Sequence, residues 1–386
     1  MERDYSIDFL KFFAIFAVVC IHTGTVSGVH IGNIDGDQLD FLIDITARFA
    51  VPFFFVTSGY LFIRKLKQLE NKNDQEVTSQ QNHYFYKYTT KLIKLWAAWF
   101  IFYFLFDLLI KYGETEKTSA ALIPMIKEHI TSIFTWDLFY YGAGQNQYHL
   151  WFLLALIWSV MILFVAYKTN MLKTFLLIGL GLNILGMFGQ SYSFIYDMSW
   201  NTRDALFFGM FYMLLGGFME NYILKVKNLA KRVPTTVFIG VTLLFVFLQL
   251  GEAYLIVQVA GGKEQNFFLS TIPLTIILFM LIMKHNQVGK NTIVSKIGAN
   301  SVGIYVTHVF VMETLRILMN RIGQEAVMET LAWKLAFTPA VFILAYLFYI
   351  SVQKMKDLDT LKEILLRSKM PVLKRNLLIK TNEKKS

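Results

Sequence analysis

Long apolar segments recur along this chain, and polar stretches separate them. A helix that crosses a bilayer needs about 20 mostly apolar residues. The segments that meet this measure lie at 9–30, 40–63, 92–111, 149–167, 172–190, 204–222, 235–257, 267–283, 299–319 and 331–353. The pattern predicts an all-α fold, a polytopic membrane helix bundle of about ten transmembrane helices.

Lysine and arginine are concentrated in alternate loops between these segments. The loops after the second, fourth, sixth and eighth segments are basic, whereas 31–39 holds no Lys or Arg, 258–266 only Lys263 and 320–330 only Arg321. Cytoplasmic loops of membrane proteins carry the excess of basic residues. The alternation predicts an even number of spans, both termini in the cytoplasm and a first segment that runs outward. We therefore expect a multi-pass protein of the plasma membrane.

The polar parts of the chain suggest a simple division. Residues 1–356 form the predicted membrane domain, and 357–386 form a basic amphipathic cytoplasmic tail that we expect to lie on the inner leaflet. The stretch 64–91, rich in Gln, Asn and Lys, is predicted to be a solvated cytoplasmic linker. The stretch 112–148 contains aromatic residues beside a span and is predicted to form an outer rim or lid.

The composition is that of an integral membrane protein. Of 386 residues, 55% are hydrophobic and 17% charged, against about 25% charged in soluble domains. This excludes a soluble enzyme that merely carries an anchor. The net charge of +10 is assigned to loops that face anionic lipid, so the lipid bilayer, not nucleic acid, is the expected partner. The single cysteine, Cys20, excludes a disulfide framework and a cysteine-based metal site.

The first apolar segment carries a cation and an imidazole on one face. Lys11 and His22 are eleven residues apart, so they differ by about 20° around a helix and by roughly 16 Å along it. The predicted orientation places Lys11 near the cytoplasmic face and His22 in the outer half of the membrane. Ionisable groups in the hydrocarbon are expensive and usually functional. For Lys11 the alternative is a side chain that extends to the inner headgroups.

Other ionisable residues are predicted to converge on the middle and outer half of the bundle: Arg48, His149, Arg203 and His308. Each also has a purely structural interpretation. Arg48 is spaced to form a buried ion pair with Asp44, and Arg203 is placed to extend toward the headgroups. His149 is suited to an interfacial position in a belt with Trp151. His308 is suited to an interhelical hydrogen bond.

The types of residue favour general-base chemistry. A neutral imidazole is a suitable base at physiological pH, and arginines bind phosphate or a developing oxyanion. No metal is expected, because no two histidines share a ligand spacing and carboxylates in the spans are few. A Ser-His-Asp triad lacks a nucleophile elbow, and a proton relay lacks a chain of intramembrane carboxylates. A base that activates a hydroxyl fits best.

Five motifs occur in an order that resembles a known family. They are Asp8-x-x-Lys11 with His22, Arg48-Phe-Ala-Val-Pro52 continuing to Ser58-Gly59-Tyr60, His149-Leu-Trp151-Phe152, Arg203-Asp-Ala-Leu-Phe-Phe-Gly209, and Ser301-Val-Gly-Ile-Tyr305-Val-Thr-His308. Together they resemble the acyltransferase-3 family of bacterial integral membrane acyltransferases, over roughly residues 5–350. The resemblance implies ten core spans and transfer of an acyl group, often acetyl from acetyl-CoA, to cell-envelope glycans.

Two signatures of that family are altered in this chain. The family has an arginine, ten residues and a histidine in the first span, where this chain has Lys11 and His22. It has Arg-x-x-Arg after the second span, where this chain has Arg64 and Lys67. Both replacements keep the positive charge and lose the bidentate fork of a guanidinium.

The resemblance implies a division of labour among these residues. We expect Lys11, Arg64 and Lys67 to bind the phosphates of acyl-CoA, and His22 to act as the general base, with Arg48 and His308 beside it in the catalytic group. The expected substrate-binding residues are His149, Trp151, Arg203 and Tyr305. A separate extracytoplasmic protein is a possible partner that completes the transfer.

Two other functions fit a bundle with polar residues near the midplane. A transporter or exporter of a polysaccharide or small polar solute predicts movement of the solute without consumption of acyl-CoA. Against it stand the lack of an internal repeat and the isolated positions of Pro52 and Pro273, which do not form a pair of broken helices. A structural or signalling partner in envelope synthesis has no need of deep His and Arg side chains.

Overall fold

The computed structural model describes residues 4–70, 77–142, 148–263 and 267–368, with side chains through Met355. Nearly all regular structure in these ranges is helical; one short hairpin pairs β1 (His30–Ile31) with β2 (Ile34–Asp35). The α-helices, in chain order from α1 to α16, are Tyr5–Thr23, Gly36–Ala47, Ala50–Glu70, Val77–Glu114, Ser119–Thr131, Trp136–Tyr141, Trp151–Lys168, Leu172–Gly186, Met210–Asn221, Ile223–Arg232, Thr235–Tyr254, Thr271–Lys284, Ile293–Gly298, Ser301–Arg321, Glu325–Met328 and Leu331–Ser368. The predicted all-α class is confirmed.

Seven helical stretches of the described chain are long and apolar enough to cross a bilayer, and an eighth counts if a bent pair is one span. The seven are Tyr5–Thr23, Val77–Glu114, Tyr148–Lys168, Leu172–Gly189, Thr235–Val259, Ser301–Arg321 and Leu331–Met355. The bent pair is Ala205–Asn221 with Ile223–Arg232, at an angle of 85°. This confirms a polytopic helix bundle, whereas the count of ten spans and the cytoplasmic termini stay predictions.

The second predicted segment, 40–63, is wrong as a single helix. Helix α2 ends at Ala47 and α3 begins at Ala50. Pro52 explains the break, because its ring would clash with the carbonyl of Arg48 if the first helix continued through it. In the first turn of α3 the missing amide proton costs nothing. The break leaves Arg48 between two helices.

The predicted solvated linker at 64–91 is also wrong for its described part. Helix α3 continues to Glu70, and α4 begins at Val77 and runs for 38 residues. A helix of that length measures about 57 Å, well beyond the roughly 30 Å of a hydrocarbon core. The polar residues therefore lengthen two helices beyond the membrane.

Two other predicted polar parts are described only in part. The stretch 112–148 contains the short helices α5 and α6, whereas 143–147 lie outside the described residues. Helix α16 passes the predicted domain boundary at 356 without a break and ends at Ser368. The rest of the predicted amphipathic tail, 369–386, lies outside the described residues, so the tail stays a prediction.

Contacts between helix termini define the two ends of the bundle. Asp4, just before α1, binds Arg64 near the end of α3, and Lys67 donates to the carbonyl of Glu220 at the end of α9. We call this the cytoplasmic end, as the loop charges predict. At the opposite end, the hydroxyl of Thr23 bonds that of Thr338, which joins the end of α1 to α16.

Helices α3 and α9 pack against each other through their backbones. A Cβ atom on Gly59 would overlap the carbonyl of Met213, and one on Gly216 would overlap the carbonyl of Val56. Without side chains at these positions the two backbones meet directly, as small residues allow between membrane helices. This contact fixes α3, which forms one wall of the cavity described below.

Replacement of Gly216 by alanine tests that contact. We expect Gly216→Ala to lower the free energy of unfolding by about 1–3 kcal/mol, the usual cost of overpacking. Gly240→Ala is the matched control, because Gly240 is also helical and has no atom within 4 Å of an added Cβ. The control should be neutral or slightly stabilising. Thermal unfolding in detergent measures both, and equal midpoints would contradict the contact.

Candidate functional site

A cavity of about 250 Å³ lies among α1, α3, α4, α7 and α14. Lys11 and His22 both line it, and because they lie on α1 they are roughly 16 Å apart along the helix axis. The cavity therefore extends along much of the first helix. Both polar residues that the sequence placed on one face of α1 turn toward this internal space.

The part of the cavity near Lys11 lies toward the cytoplasmic end. Ala299 and Ser301, at the start of α14, line it together with Lys11. The first amide groups of a helix lack intrahelical acceptors and carry a partial positive charge. Lys11 itself lies 3.6 Å from the carboxylate of Asp8, one turn earlier on α1. This part of the cavity combines a cation with the positive end of a helix.

Three histidines from separate segments meet at the other part of the cavity. The ring centroid of His308 lies 5.1 Å from that of His22 and 5.4 Å from that of His149. We call these three residues the histidine cluster. His22 also packs against Tyr148, with ring centroids 5.3 Å apart. Helix α1, helix α14 and the turn before α7 each contribute one imidazole.

The imidazole of His308 is held in one orientation. Its Nδ1 lies 2.6 Å from the carbonyl oxygen of Tyr305 on the same helix, so the neutral ring carries its proton on Nδ1. Its Nε2 is buried and has no hydrogen-bond partner among the described residues. The interhelical hydrogen bond considered for His308 is therefore wrong, since its hydrogen bonds to described residues stay within α14. The lone pair of Nε2 remains available in the cluster.

His149 is buried rather than interfacial. It is 1% exposed, and neither ring nitrogen has a partner in the described part of the chain. The hydroxyl of Tyr305 donates a hydrogen bond to the backbone carbonyl of His149, and the two rings pack edge to face. The interfacial position considered from the sequence is wrong, because the turn before α7 places this residue inside the bundle.

Tyr103 supports the cluster and was missed from the sequence. Its hydroxyl donates to the carbonyl of Val306 at 2.9 Å and accepts from the amide of Phe310 at 3.1 Å. It thus joins the two ends of the helical turn that carries His308, and its ring packs on His149. No sequence signal marks it, because its partners are backbone groups of a distant helix.

Two arginines lie on the side of the cluster away from Lys11. Arg48 forms the predicted buried ion pair with Asp44, with Nε 2.9 Å from the carboxylate. The guanidinium of Arg203 lies over the ring of Trp151, 5.2 Å from its centroid. Both arginines interact electrostatically with His22. Burial, and next the charge of Arg48, lower the pKa of Arg203 from its usual range.

Arg64 and Lys67 do not line the cavity. Arg64 binds the buried carboxylate of Asp4, which also accepts a hydrogen bond from Tyr60 at 2.9 Å. Lys67 donates to the backbone carbonyls of Glu220 and Asn221 at 3.1 and 3.4 Å. Both residues therefore connect helix ends at the cytoplasmic end. Of the three predicted cofactor-binding residues, the structure brings only Lys11 to the cavity.

Among the described residues, no three His, Cys, Asp or Glu side chains are arranged to hold a metal ion. This includes the histidine cluster. The polar groups that line the cavity are nitrogen groups, including Lys11 and His22, and hydroxyl groups, including Ser58 and Ser301.

The fold and the cavity define a polytopic membrane protein with basic groups buried around an internal space. The chain belongs to the acyltransferase-3 family, since the family model described as an acyltransferase domain matches residues 4–350. The resemblance seen in the motifs is confirmed.

Two curated relatives are each named amino-acid racemase, from Enterococcus faecalis. One is 24% identical over 302 residues, which is 73% of this chain and 38% of the relative. The other is 26% identical over 237 residues, which is 57% of this chain and 29% of the relative. More than half of each relative lies outside the match. The racemase name therefore describes those proteins and is not transferred to this chain. No solved structure matches this chain.

Replacement of Tyr103 by phenylalanine tests the support of the histidine cluster. We expect Tyr103→Phe to cost about 1 kcal/mol of unfolding free energy, typical of a hydrogen bond between membrane helices. Tyr86→Phe is the matched control on the same helix, because Tyr86 is 70% exposed. Unfolding in detergent measures the difference. If both variants unfold alike, the Tyr103 hydroxyl has no such role.

Proposed function

We propose that this acyltransferase moves an acyl group, most simply acetyl from acetyl-CoA, to a hydroxyl of a cell-envelope glycan or a related acceptor. The observation that carries the proposal is the shared cavity. Lys11 and His22 line the same internal space although roughly 16 Å of helix separates them. A long thin donor suits such a space better than a compact solute does.

The donor enters from the cytoplasmic end in this scheme. The pantetheine arm of acyl-CoA lies along α1, and its length is comparable with the separation of Lys11 and His22. Between these two residues the walls are mainly apolar, with Phe54, Leu61 and Leu156 among them. Lys11 and the start of α14 supply positive charge where the phosphate-bearing part of the donor follows the arm. The thioester then lies near His22.

His22 serves as the general base. Its imidazole takes the proton from the acceptor hydroxyl, and the hydroxyl oxygen forms a bond to the thioester carbonyl carbon. The carbon–sulfur bond then breaks, and the thiolate of CoA leaves with a proton returned from the imidazolium. The rigid ring of His308 lies beside His22 and keeps it in place. Proton transfer to a positioned base of this kind accounts for about 10²–10⁴ in rate.

The arginines assist with the negative charge that develops on the thioester oxygen. Arg48 and Arg203 interact electrostatically with His22, so their charges act at the point where the oxyanion forms. Asp44 and Trp151 hold the two guanidinium groups in place. Fixed charges in a low-dielectric site stabilise a transition state without reorganisation.

The acceptor approaches from the end opposite Lys11. His149 and Trp151 line the cavity there with Tyr305, and aromatic faces of this kind suit the apolar face of a sugar. Tyr305 acts by holding the turn of His149, as its hydroxyl is engaged with that backbone. A separate extracytoplasmic protein that completes transfer is compatible with the scheme, and the plasma membrane is the location where both substrates meet.

Loss of the base is the direct test of this function. In cells that lack the gene, we expect wild-type protein to restore an acyl mass on envelope glycans and His22→Ala to restore none, because the scheme assigns removal of the acceptor proton to His22. Mass spectrometry of the glycans gives the measurement. Thermal unfolding of the purified variant verifies that the bundle still forms.

His285→Ala is the matched control, since His285 lies at the end of α12 and bonds Thr235 away from the cavity. It should restore the acyl mass fully. Glycans acylated normally by His22→Ala would contradict the proposed role. A transporter would be supported instead if the wild type moved a solute without consuming acyl-CoA and if His22→Ala moved that solute equally well.

The charge of Lys11 should affect binding of the donor rather than the rate of the chemical step. We expect Lys11→Gln to raise KM for acyl-CoA by about tenfold with a smaller change in kcat, as for loss of a contact present in ground and transition states. Lys11→Arg should restore KM because it keeps the charge and adds a fork. Acyl-CoA consumption by purified protein measures both. A loss confined to kcat would contradict the assignment.

A further inference from the structure

A second recess lies at the cytoplasmic end, between the end of α3 and the start of α4. Its volume is about 440 Å³. Three basic side chains line it, together with polar and aromatic ones: Lys65, His83 and Lys87 with Ser79, Gln80 and Tyr84. We call this recess the basic groove. It is distinct from the cavity beside α1, and none of the residues assigned a role above lines it.

The positive charges of the basic groove are not neutralised within the described part of the chain. Lys65, His83 and Lys87 are exposed and form no hydrogen bond or ion pair with another described residue. The carboxylate of Glu70, at the end of α3, is engaged elsewhere by Gln81 at 3.1 Å and Tyr167 at 2.6 Å. Exposed cations without partners attract an anion.

The basic groove adjoins the cavity through one aromatic side chain. Tyr84 lines both spaces. Its ring lies 5.6 Å from that of Phe62 and 5.9 Å from that of Tyr88, and both of these residues also line the cavity. The groove and the cavity that contains His22 therefore lie on either side of the Tyr84 side chain.

The neighbouring basic residues of the family signature do not line the basic groove. Arg64 and Lys67 turn toward Asp4 and the carbonyl of Glu220, on the other side of α3. Lys65 lies between them in sequence, and successive helical residues differ by about 100° in direction. That rotation places Lys65 toward α4 and the basic groove.

We propose that the basic groove binds the 3′-phospho-ADP end of acyl-CoA, while the pantetheine arm passes Tyr84 into the cavity. The proposal rests on the proposed function. Lys65 and Lys87 donate charge-assisted hydrogen bonds to the phosphates, His83 donates a further hydrogen bond from its ring, and the ring of Tyr84 packs against the adenine. Lys11 then lies deeper in the bundle, where the pantetheine arm joins the diphosphate. Donor recognition is thereby assigned to residues outside the family signature.

Binding of donor fragments by the intact protein tests the groove. Calorimetry in nanodiscs of zwitterionic lipid compares CoA with 4′-phosphopantetheine, which lacks the nucleotide. We expect Lys65→Gln/Lys87→Gln to weaken CoA binding by about tenfold or more, since two phosphate contacts are lost. Binding of 4′-phosphopantetheine should be unchanged. Adenosine 3′,5′-bisphosphate should compete with CoA on the wild type and lose that effect on the variant.

Two control variants separate the groove from general charge and from folding. Lys227→Gln/Lys231→Gln removes the same charge from α10, which follows the end of α9 where Lys67 binds, and should bind CoA as the wild type does. Lys65→Arg/Lys87→Arg keeps the charge and should retain binding. Loss of CoA affinity in the α10 variant, equal to that in the groove variant, would overturn the assignment.

The outcomes distinguish this inference from the proposed function. If wild type and Lys65→Gln/Lys87→Gln bind CoA equally, the groove assignment is wrong and the acyltransferase scheme stands. If wild type binds neither CoA nor acetyl-CoA, the scheme fails and the inference fails with it. If the groove variant loses only its binding to vesicles that contain phosphatidylglycerol, the occupant is a lipid headgroup, and the assignment to CoA is overturned.

Discussion

A lysine and a histidine on one stripe of an apolar helix cannot face lipid without a large cost. The bundle meets that constraint by placing Lys11 and His22 on an internal cavity. Around them, the backbone contact of α3 with α9 at Gly59 and Gly216 fixes one wall. The site is therefore a consequence of how the protein accommodates charge inside a membrane, and the space that accommodates it is long enough for an extended donor.

Three polar groups near His22 are each held by a partner outside the cluster. Asp44 holds Arg48, Trp151 packs under Arg203, and the carbonyl of Tyr305 fixes the ring of His308. Groups held in this way need little rearrangement when charge develops beside them. The same arrangement leaves nitrogens of His149 and His308 buried and without described partners, which a protein selected for stability alone would avoid.

The departures from the family signature acquire a physical meaning in the structure. A lysine replaces the arginine of the first signature at position 11 and the second arginine of the Arg-x-x-Arg signature at position 67. Lys67 and Arg64 join helix ends, where a single strong donor to carbonyls or to one carboxylate suffices. Among the described residues at this end, Lys65 and Lys87 line the basic groove and are exposed. In our proposal, donor recognition and helix assembly fall to different residues of the cytoplasmic end.

The sequence by itself determined the helical class, the shared face of Lys11 and His22, and the ion pair of Arg48 with Asp44, because each depends on residues within a few helical turns. It did not predict the break before Pro52 or the helical extension of α3 and α4 into the polar stretch. Only the tertiary structure decided the histidine cluster, the burial of His149 and the support from Tyr103, whose partner Val306 lies 203 positions away. The periodicity of a helix determines which of its own residues share a face. The contacts between helices depend instead on how side chains and glycines pack across the whole bundle.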